Sequence, residues 1–316
     1  MSLEKHFLNT TNDYHKHELD SLAWEITLSV MLEDPRSLCR SVLRKPDSFG
    51  NLLYNFLVTV IPMDHIQRLI EIGGGYGSLM RDFLRRNNAL RATMNDLSPF
   101  LLARQQETLR EFPVQFIQGD FFLLDESVLS NIDLAILNEV IGDFPTVCEI
   151  QRTMLFECPD SGDQTLHEVW RIYNSYGIAL PAMERFTVNL GAIQALERLC
   201  TAQIPYIYVS EHSCEASVPK QLMGLLELMP TGDPERIRLH GHDEYTIRFS
   251  DLERVAAFFG YTCRRGQYLD FIEPVIEDDI EFILRLGSSK IDRHEIIRQF
   301  IEDLIKYEYL VLSLTA

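Results

Sequence analysis

The chain has 316 residues, 46% of them hydrophobic and 24% charged, which suits a soluble globular protein with a large core. Lys and Arg number 29 against 47 Asp and Glu, giving a formal net charge of −18. Such a field repels polyphosphate backbones and anionic membrane surfaces, so neither nucleic acid nor membrane is expected as a partner. The one short basic run, Arg81, Arg85, Arg86 and Arg91, reads as a solvated helix face. The first twenty residues lack a signal-peptide layout, and no apolar run reaches the roughly 18–20 residues of a membrane span. Six scattered cysteines without a C-x-x-C pair point to reduced thiols, so a cytoplasmic location is expected. "EHSCE" at 211–215 and "HGH" at 240–242 lack the spacing of a structural zinc site, and no metal is expected.

In chain order, residues 19–44 show helical apolar spacing up to the Lys45-Pro46 pair. A second helix fits "DSFGNLLYNFLVTVI", with Asp47 or Ser48 as cap. Strands and helices then alternate: "RLIEI" strand, "SLMRDFLRRN" helix, "RATMND" strand, "PFLLARQQETLREF" helix, "VQFIQGD" strand, "IDLAILNEV" strand. This rhythm predicts an α/β fold, a Rossmann-like and mostly parallel sheet with right-handed crossovers and helices on both faces. Residues 147–201 read as mostly helical, "PYIYVSEH" as a fifth strand and "PKQLMGLLELM" as a helix. "YTIRF" reads as a strand, "SDLERVAAFFGY" as a helix capped by Ser250, and "TCRRGQYLDFI" as a closing strand. The last 43 residues read as two helical patterns broken at Gly287. The expected organisation is a helical lead-in over 1–60, an α/β core over 61–275, and C-terminal helices over 276–316. Helical insertions at about 147–201 and 213–240 are expected to cover the crevice.

The turn "EIGGGYGS" carries the chemistry. A phosphate-cradling P-loop needs Lys and then Ser or Thr after its last glycine, whereas Ser78 and Leu79 follow Gly77. The dinucleotide pattern G-x-G-x-x-G/A meets Ser78 at its third glycine position and is weakened. An acidic-x-G-x-G-x-G pattern fits Glu71, Gly73, Gly75 and Gly77 throughout. It resembles the first motif of class I S-adenosylmethionine-dependent methyltransferases. Glycines let the backbone approach the cofactor, and a carboxylate suits a ligand that carries an ammonium and a sulfonium rather than a pyrophosphate.

Further positions follow in the order that this resemblance implies. Asp96, with Leu97 beside it, ends the second strand where ribose hydroxyls are held. Asp120 ends the third strand, at the adenine amine, and Phe121 or Phe122 offers a ring for the base. Asn138 and Glu139 end the fourth, at the methyl-transfer site. "DLSPFLLARQQETL" followed by "LNEVIGDFPTV" is similar to the MidA-like family, which includes the mitochondrial methyltransferase of complex I assembly. The likeness runs over about residues 48–147 and loosely over 241–275. The family's Pro in the glycine turn is Gly74 here, its N-E-F-F-D aspartate aligns with Gly142, with Asp143 one position on, and its D-Y-G is "SEHSCE". The cofactor half of the site is thus expected to match the family and the acceptor half to diverge.

The resemblance implies in-line methyl transfer to a nitrogen or oxygen nucleophile, with protein arginine as the family's characterised acceptor. A carboxylate would take the proton or orient the nucleophile: Glu139 first, Asp143 second, Glu211 third, the last two competing with roles as caps or surface acids. The acidic balance favours a cationic acceptor. A small-molecule methyltransferase, a cofactor-binding assembly factor with little turnover and, last, a nicotinamide enzyme are the rival expectations.

Overall fold

A computed structural model describes residues 6–22, 27–159, 162–286 and 288–315. Its strands are β1 (Phe7–Asn9), β2 (Arg68–Ile72), β3 (Arg91–Asp96), β4 (Val114–Gln118), β5 (Leu134–Asn138), β6 (Thr146–Gln151), β7 (Arg185–Val188), β8 (Tyr206–His212), β9 (Arg236–Arg238), β10 (Asp243–Tyr245), β11 (Tyr261–Gln267) and β12 (Tyr307–Leu314). Seven form the central sheet in the order β11-β12-β8-β5-β2-β3-β4. β2, β3, β4, β5 and β8 run parallel, and β12 is antiparallel to both of its neighbours.

The central strands are apolar on both sides because helices cover both faces. Leu69, Leu134, Ile136, Tyr208, Tyr309 and Val311 point to one face, packed by the helices at Phe49–Val60, Ser78–Arg86 and Asp292–Lys306. Ile70, Ala135, Leu137, Ile207, Val209 and Leu310 point to the other, packed by those at Gln164–Tyr176, Leu190–Thr201 and Phe249–Phe258. Strand order reverses at β2, whose neighbours are β3 and β5, so a crevice opens at the carboxyl ends of these strands.

The sequence expectations fail at definite places. Residues 19–44 form no long helix: Pro35 interrupts the pattern, and Thr27 and Ser37 each cap a fresh single turn, at Leu28–Met31 and Leu38–Ser41. Ile26 of that pattern lies outside the described residues, as does Gly287 of the C-terminal break. The stretch 147–201 carries β7 and most of β6 beside its two helices, and β1 adds to β6 as a third strand. "PKQLMGLLELM" makes only a turn at Lys220–Leu222, since Gly224 takes the left-handed φ of +85°. Of "YTIRF" only Tyr245 is in a strand, as the last residue of β10 paired with β9, and Ile247 makes a single bridge to Ser213. Ser250 lies inside its helix rather than at the cap, its hydroxyl donating to Glu215 at 2.6 Å. The segment 276–316 is not all helical either. It ends in β12, which lies between β8 and β11 and so belongs to the core sheet.

A crevice built from backbone on one side and side chains on the other

The glycine turn follows β2 directly. Gly73, Gly75 and Gly77 take φ of +66°, +51° and +81°, a region that side chains rarely adopt. A Cβ on Gly73 would lie 2.3 Å from Val140 Cγ2. Gly74 needs no unusual φ, but a Cβ there would meet Met94 Cε at 2.3 Å, so Met94 fills the space beside the turn. Gly77 does not line the crevice; it caps the helix at Ser78–Arg86, and a Cβ there would lie 3.3 Å from Gln105 Cα.

The crevice encloses about 1110 Å³ of empty space, the open solvent at its mouth included. Glu71, Gly73, Gly74, Gly75, Asp96, Leu97, Asp120, Phe121, Asn138, Glu139 and Asp143 all line it, so the structure brings together every expected residue except Gly77 and Glu211. Asp96 shows why a Ser-Pro and a Gln follow it. One oxygen accepts the Ser98 N–H at 2.9 Å, Ser98 caps the helix that Pro99 begins, and Gln105 Nε2 reaches back to the other oxygen at 2.7 Å. Gln105 also donates to the Gly75 carbonyl at 3.1 Å, so one amide clamps the acid to the glycine turn. Burial raises Asp96 to about 6 against these hydrogen bonds.

Glu71 is 2% exposed and burial, with Asp96 close by, pushes it up to about 8. Its Oε2 is buried without a hydrogen-bond partner beneath the turn. A buried acid with an open acceptor, a cradle that any Cβ would fill, and a second acid at the next strand end fit a cationic, ribose-bearing cofactor. Asp120 is more occupied: it caps the turn at Phe121–Leu123 through Phe122 N–H and meets Asn12 at 3.3 Å. Phe121 is buried, with Arg198 over its ring.

Across the crevice, Glu139 holds a φ of +53° that non-glycine residues avoid, its N–H bonded to the Ser210 carbonyl at 3.0 Å. Its carboxylate lies 3.5 Å from the hydroxyls of both Ser29 and Tyr268, and burial lifts it to about 7. Asn138 turns inward to Ser210 and Tyr268, at 3.0 and 3.1 Å. Asp143 faces His15 Nε2 at 2.9 Å and His242 Nε2 at 3.4 Å. Burial opposes its charge, yet the two histidines hold it well below the usual carboxylate range. Glu211 is the expected residue that the structure sets apart. It is buried behind the crevice, accepts the Gly142 and His212 N–H groups at 3.2 and 2.9 Å, and burial raises it well above its ordinary value.

The roof differs from the expected insertions. No lining residue comes from 147–201 or 213–240; Thr11, Asn12, His15, Leu22, Thr27, Ser29 and Val30 supply it instead. This segment is pinned by β1 on β6, by Thr11 to the Asp143 carbonyl at 2.9 Å, and by the Leu22 N–H to the Tyr76 hydroxyl at 2.9 Å.

The glycine turn, the acids at successive strand ends and the strand order together describe a class I methyltransferase sheet. Residues 26–163 match the O-methyltransferase domain family. That span, under half of the chain, holds both acids and the glycine turn, and S-adenosylmethionine is the methyl donor of this methyltransferase domain. No curated protein matches the chain. Among solved structures it is similar to an uncharacterised MidA-like superfamily protein from Burkholderia thailandensis, with 14% identity, 84% of this chain and 78% of that one covered, and a TM-score of 0.49. It is also similar to the S-adenosylmethionine-bound magnesium protoporphyrin IX methyltransferase of Synechocystis, with 10% identity, 84% and 80% covered, and a TM-score of 0.42. Among the described residues no helix is long and apolar enough to cross a membrane.

Proposed function

We propose that this methyltransferase acts on a hydroxyl oxygen of a small acceptor, with Glu139 as the base that takes the proton. The observation that carries this reading is Glu139 itself, a carboxylate raised to about 7 at the mouth of a central strand, in the crevice that the glycine turn also lines. A base works best when its proton affinity lies near the operating pH.

When bound, S-adenosylmethionine supplies a methyl group on a sulfonium leaving group. The chain's own residues position and deprotonate. In this reading the glycine turn lets backbone approach the amino-acid end of the cofactor, Glu71 faces its cationic groups, and Asp96 accepts from ribose hydroxyls. Asp120 and Phe121 hold the adenine edge and face. The roof residues between Thr11 and Leu22 and between Thr27 and Val30 exclude water and set the acceptor's angle of approach, which in-line displacement requires. As the new carbon–oxygen bond forms, the acceptor proton passes to Glu139, whose Tyr268 and Ser29 neighbours hold it in place.

A nitrogen acceptor, such as the arginine that the MidA-like resemblance suggests, is the second reading. It is favoured by the carboxylates Glu139, Asp143, Glu211 and Glu244 gathered at this end of the sheet. Labelled-methyl transfer to a panel of hydroxyl compounds, amines and arginyl peptides separates the two. Label on hydroxyl acceptors, with Glu139→Gln lowering kcat by about 10²–10⁴-fold at unchanged S-adenosylhomocysteine affinity, is the expected result. Label on arginyl peptides alone would overturn the oxygen reading. Cofactor binding without any transfer would leave a binding role in place of catalysis.

A further inference from the structure

Three side chains that the sequence keeps far apart meet at the acceptor end of the crevice. His15 comes from the roof, Asp143 from the turn after β5, and His242 from the loop before β10. Their ligating atoms all lie within 4.8 Å of one another. His15 Nε2 and His242 Nε2 stand 2.9 and 3.4 Å from the same atom, Asp143 Oδ1. Glu244 Oε1 is 3.4 Å from His242 Nε2. Donors bound at about 2.0–2.2 Å from one ion are separated by about 2.8–3.1 Å along an octahedral edge and about 3.3–3.6 Å along a tetrahedral one. The observed spacings are those of a polyhedron edge.

We propose that His15, Asp143 and His242 form a binding site for a divalent transition-metal ion in the methyl-acceptor half of the crevice. Two imidazole nitrogens with a carboxylate oxygen select zinc, cobalt, manganese or iron over magnesium and calcium, which prefer all-oxygen shells. Two features support the ligands from behind. Tyr14 stacks on the His242 ring with centroids 4.2 Å apart. Gly241 takes a φ of +89° where a Cβ would come within 2.5 Å of Tyr14, so this loop can pass only as glycine.

His15 and Asp143 line the crevice, so the ion's open positions face the acceptor. The role of the ion rests on the proposed oxygen acceptor. Such an ion would make an acceptor hydroxyl beside it give up its proton more readily, Glu139 would take that proton, and the oxygen would then displace the cofactor's sulfur from the methyl carbon. The substrate class is thereby narrowed to acceptors with an ionisable hydroxyl able to reach the ion.

The test uses the full chain, stripped with chelator and titrated with Co²⁺ while visible absorption is followed. The expected result is a saturable one-to-one spectrum that Zn²⁺ displaces. His242→Gln should weaken it by more than the roughly 10–100-fold cost of losing an outer-shell partner, and Asp143→Asn, which keeps the side-chain shape, should weaken it too. Metal-free melting curves of both variants report whether they fold. No saturable spectrum in the wild-type protein, or an unchanged one in folded His242→Gln, would overturn the site. S-adenosylhomocysteine titrations on the same samples keep the two readings apart: cofactor binding without cobalt binding sinks only the metal, and cobalt binding without cofactor binding removes the ion from methyl transfer.

Discussion

The two walls of the crevice are made differently. The cofactor wall stands at the ends of consecutive strands, with Gly73–Gly75 directly after β2, Asp96 the last residue of β3 and Asp120 two residues past β4. The acceptor wall is side chains from separate parts of the chain, with Ser29, Glu139 and Asp143 lining it and Tyr268 and His242 backing them from behind, brought together only by folding. A wall made of turns is fixed by local conformation, whereas a wall made of side chains can change its chemistry by substitution without altering the sheet. In the proposed function the first wall carries the part of the reaction common to methyltransferases, and the second carries the choice of acceptor.

Substitutions on the two walls should separate in the same way. The largest effect is expected at Gly73→Ala, which forces a side chain into a left-handed φ and against Val140. About 1–3 kcal/mol of stability should be lost, together with S-adenosylhomocysteine affinity. Denaturant melts and calorimetry on the same preparation would measure both, and normal binding would break the contrast between the walls.

Glu71→Gln comes next and shows itself through pH. Glu71 has a native pKa of about 8 against an ordinary 4.5, so the folded chain holds a proton that the unfolded chain releases. Its contribution to stability is full below the lower value and lost as pH rises through the higher one. Glu71→Gln removes that loss, so the ligand-free variant should melt above wild type at pH 8, and its advantage should shrink steadily towards pH 5. A constant offset across that range would contradict the assignment.

The smallest effect belongs to Tyr268→Phe. Its hydroxyl lies 2.9 Å from Ser210 Oγ and 3.1 Å from Asn138 Oδ1, deep under Glu139. About 0.5–1.5 kcal/mol of stability should go with it. Turnover should fall modestly and the cofactor affinity should hold; an equal fall in both would place Tyr268 on the wrong wall.

The same division explains what the sequence revealed. β2 to β5 and their acids were legible because each acid stands at a fixed offset from an apolar run, and Asp96, Ser98 and Gln105 form one local hydrogen-bonded unit. β12 was hidden because "YEYLVLSL" follows a helix without a break, and its antiparallel pairing with β8 is set by residues nearly a hundred positions away. The roof was hidden because residues 19–44 keep helical spacing although Pro35 and the Thr27 and Ser37 caps divide it. His242 was noticed only as part of "HGH", where no local spacing shows that His15 and Asp143 will join it. Glu211 was the third candidate, expected after the fifth strand, yet it lies within β8 behind the crevice, where its carboxylate accepts the Gly142 N–H.

The most direct measurement is a calorimetric titration of wild type and Asp96→Ala with S-adenosylhomocysteine, with NAD as control. One-to-one binding in wild type, weakened at least about 100-fold in Asp96→Ala, or about 2.7 kcal/mol, is expected, with no heat from NAD. Equal affinity in the two proteins, or a preference for NAD, would contradict the assignment of the glycine turn and Asp96 as the cofactor wall.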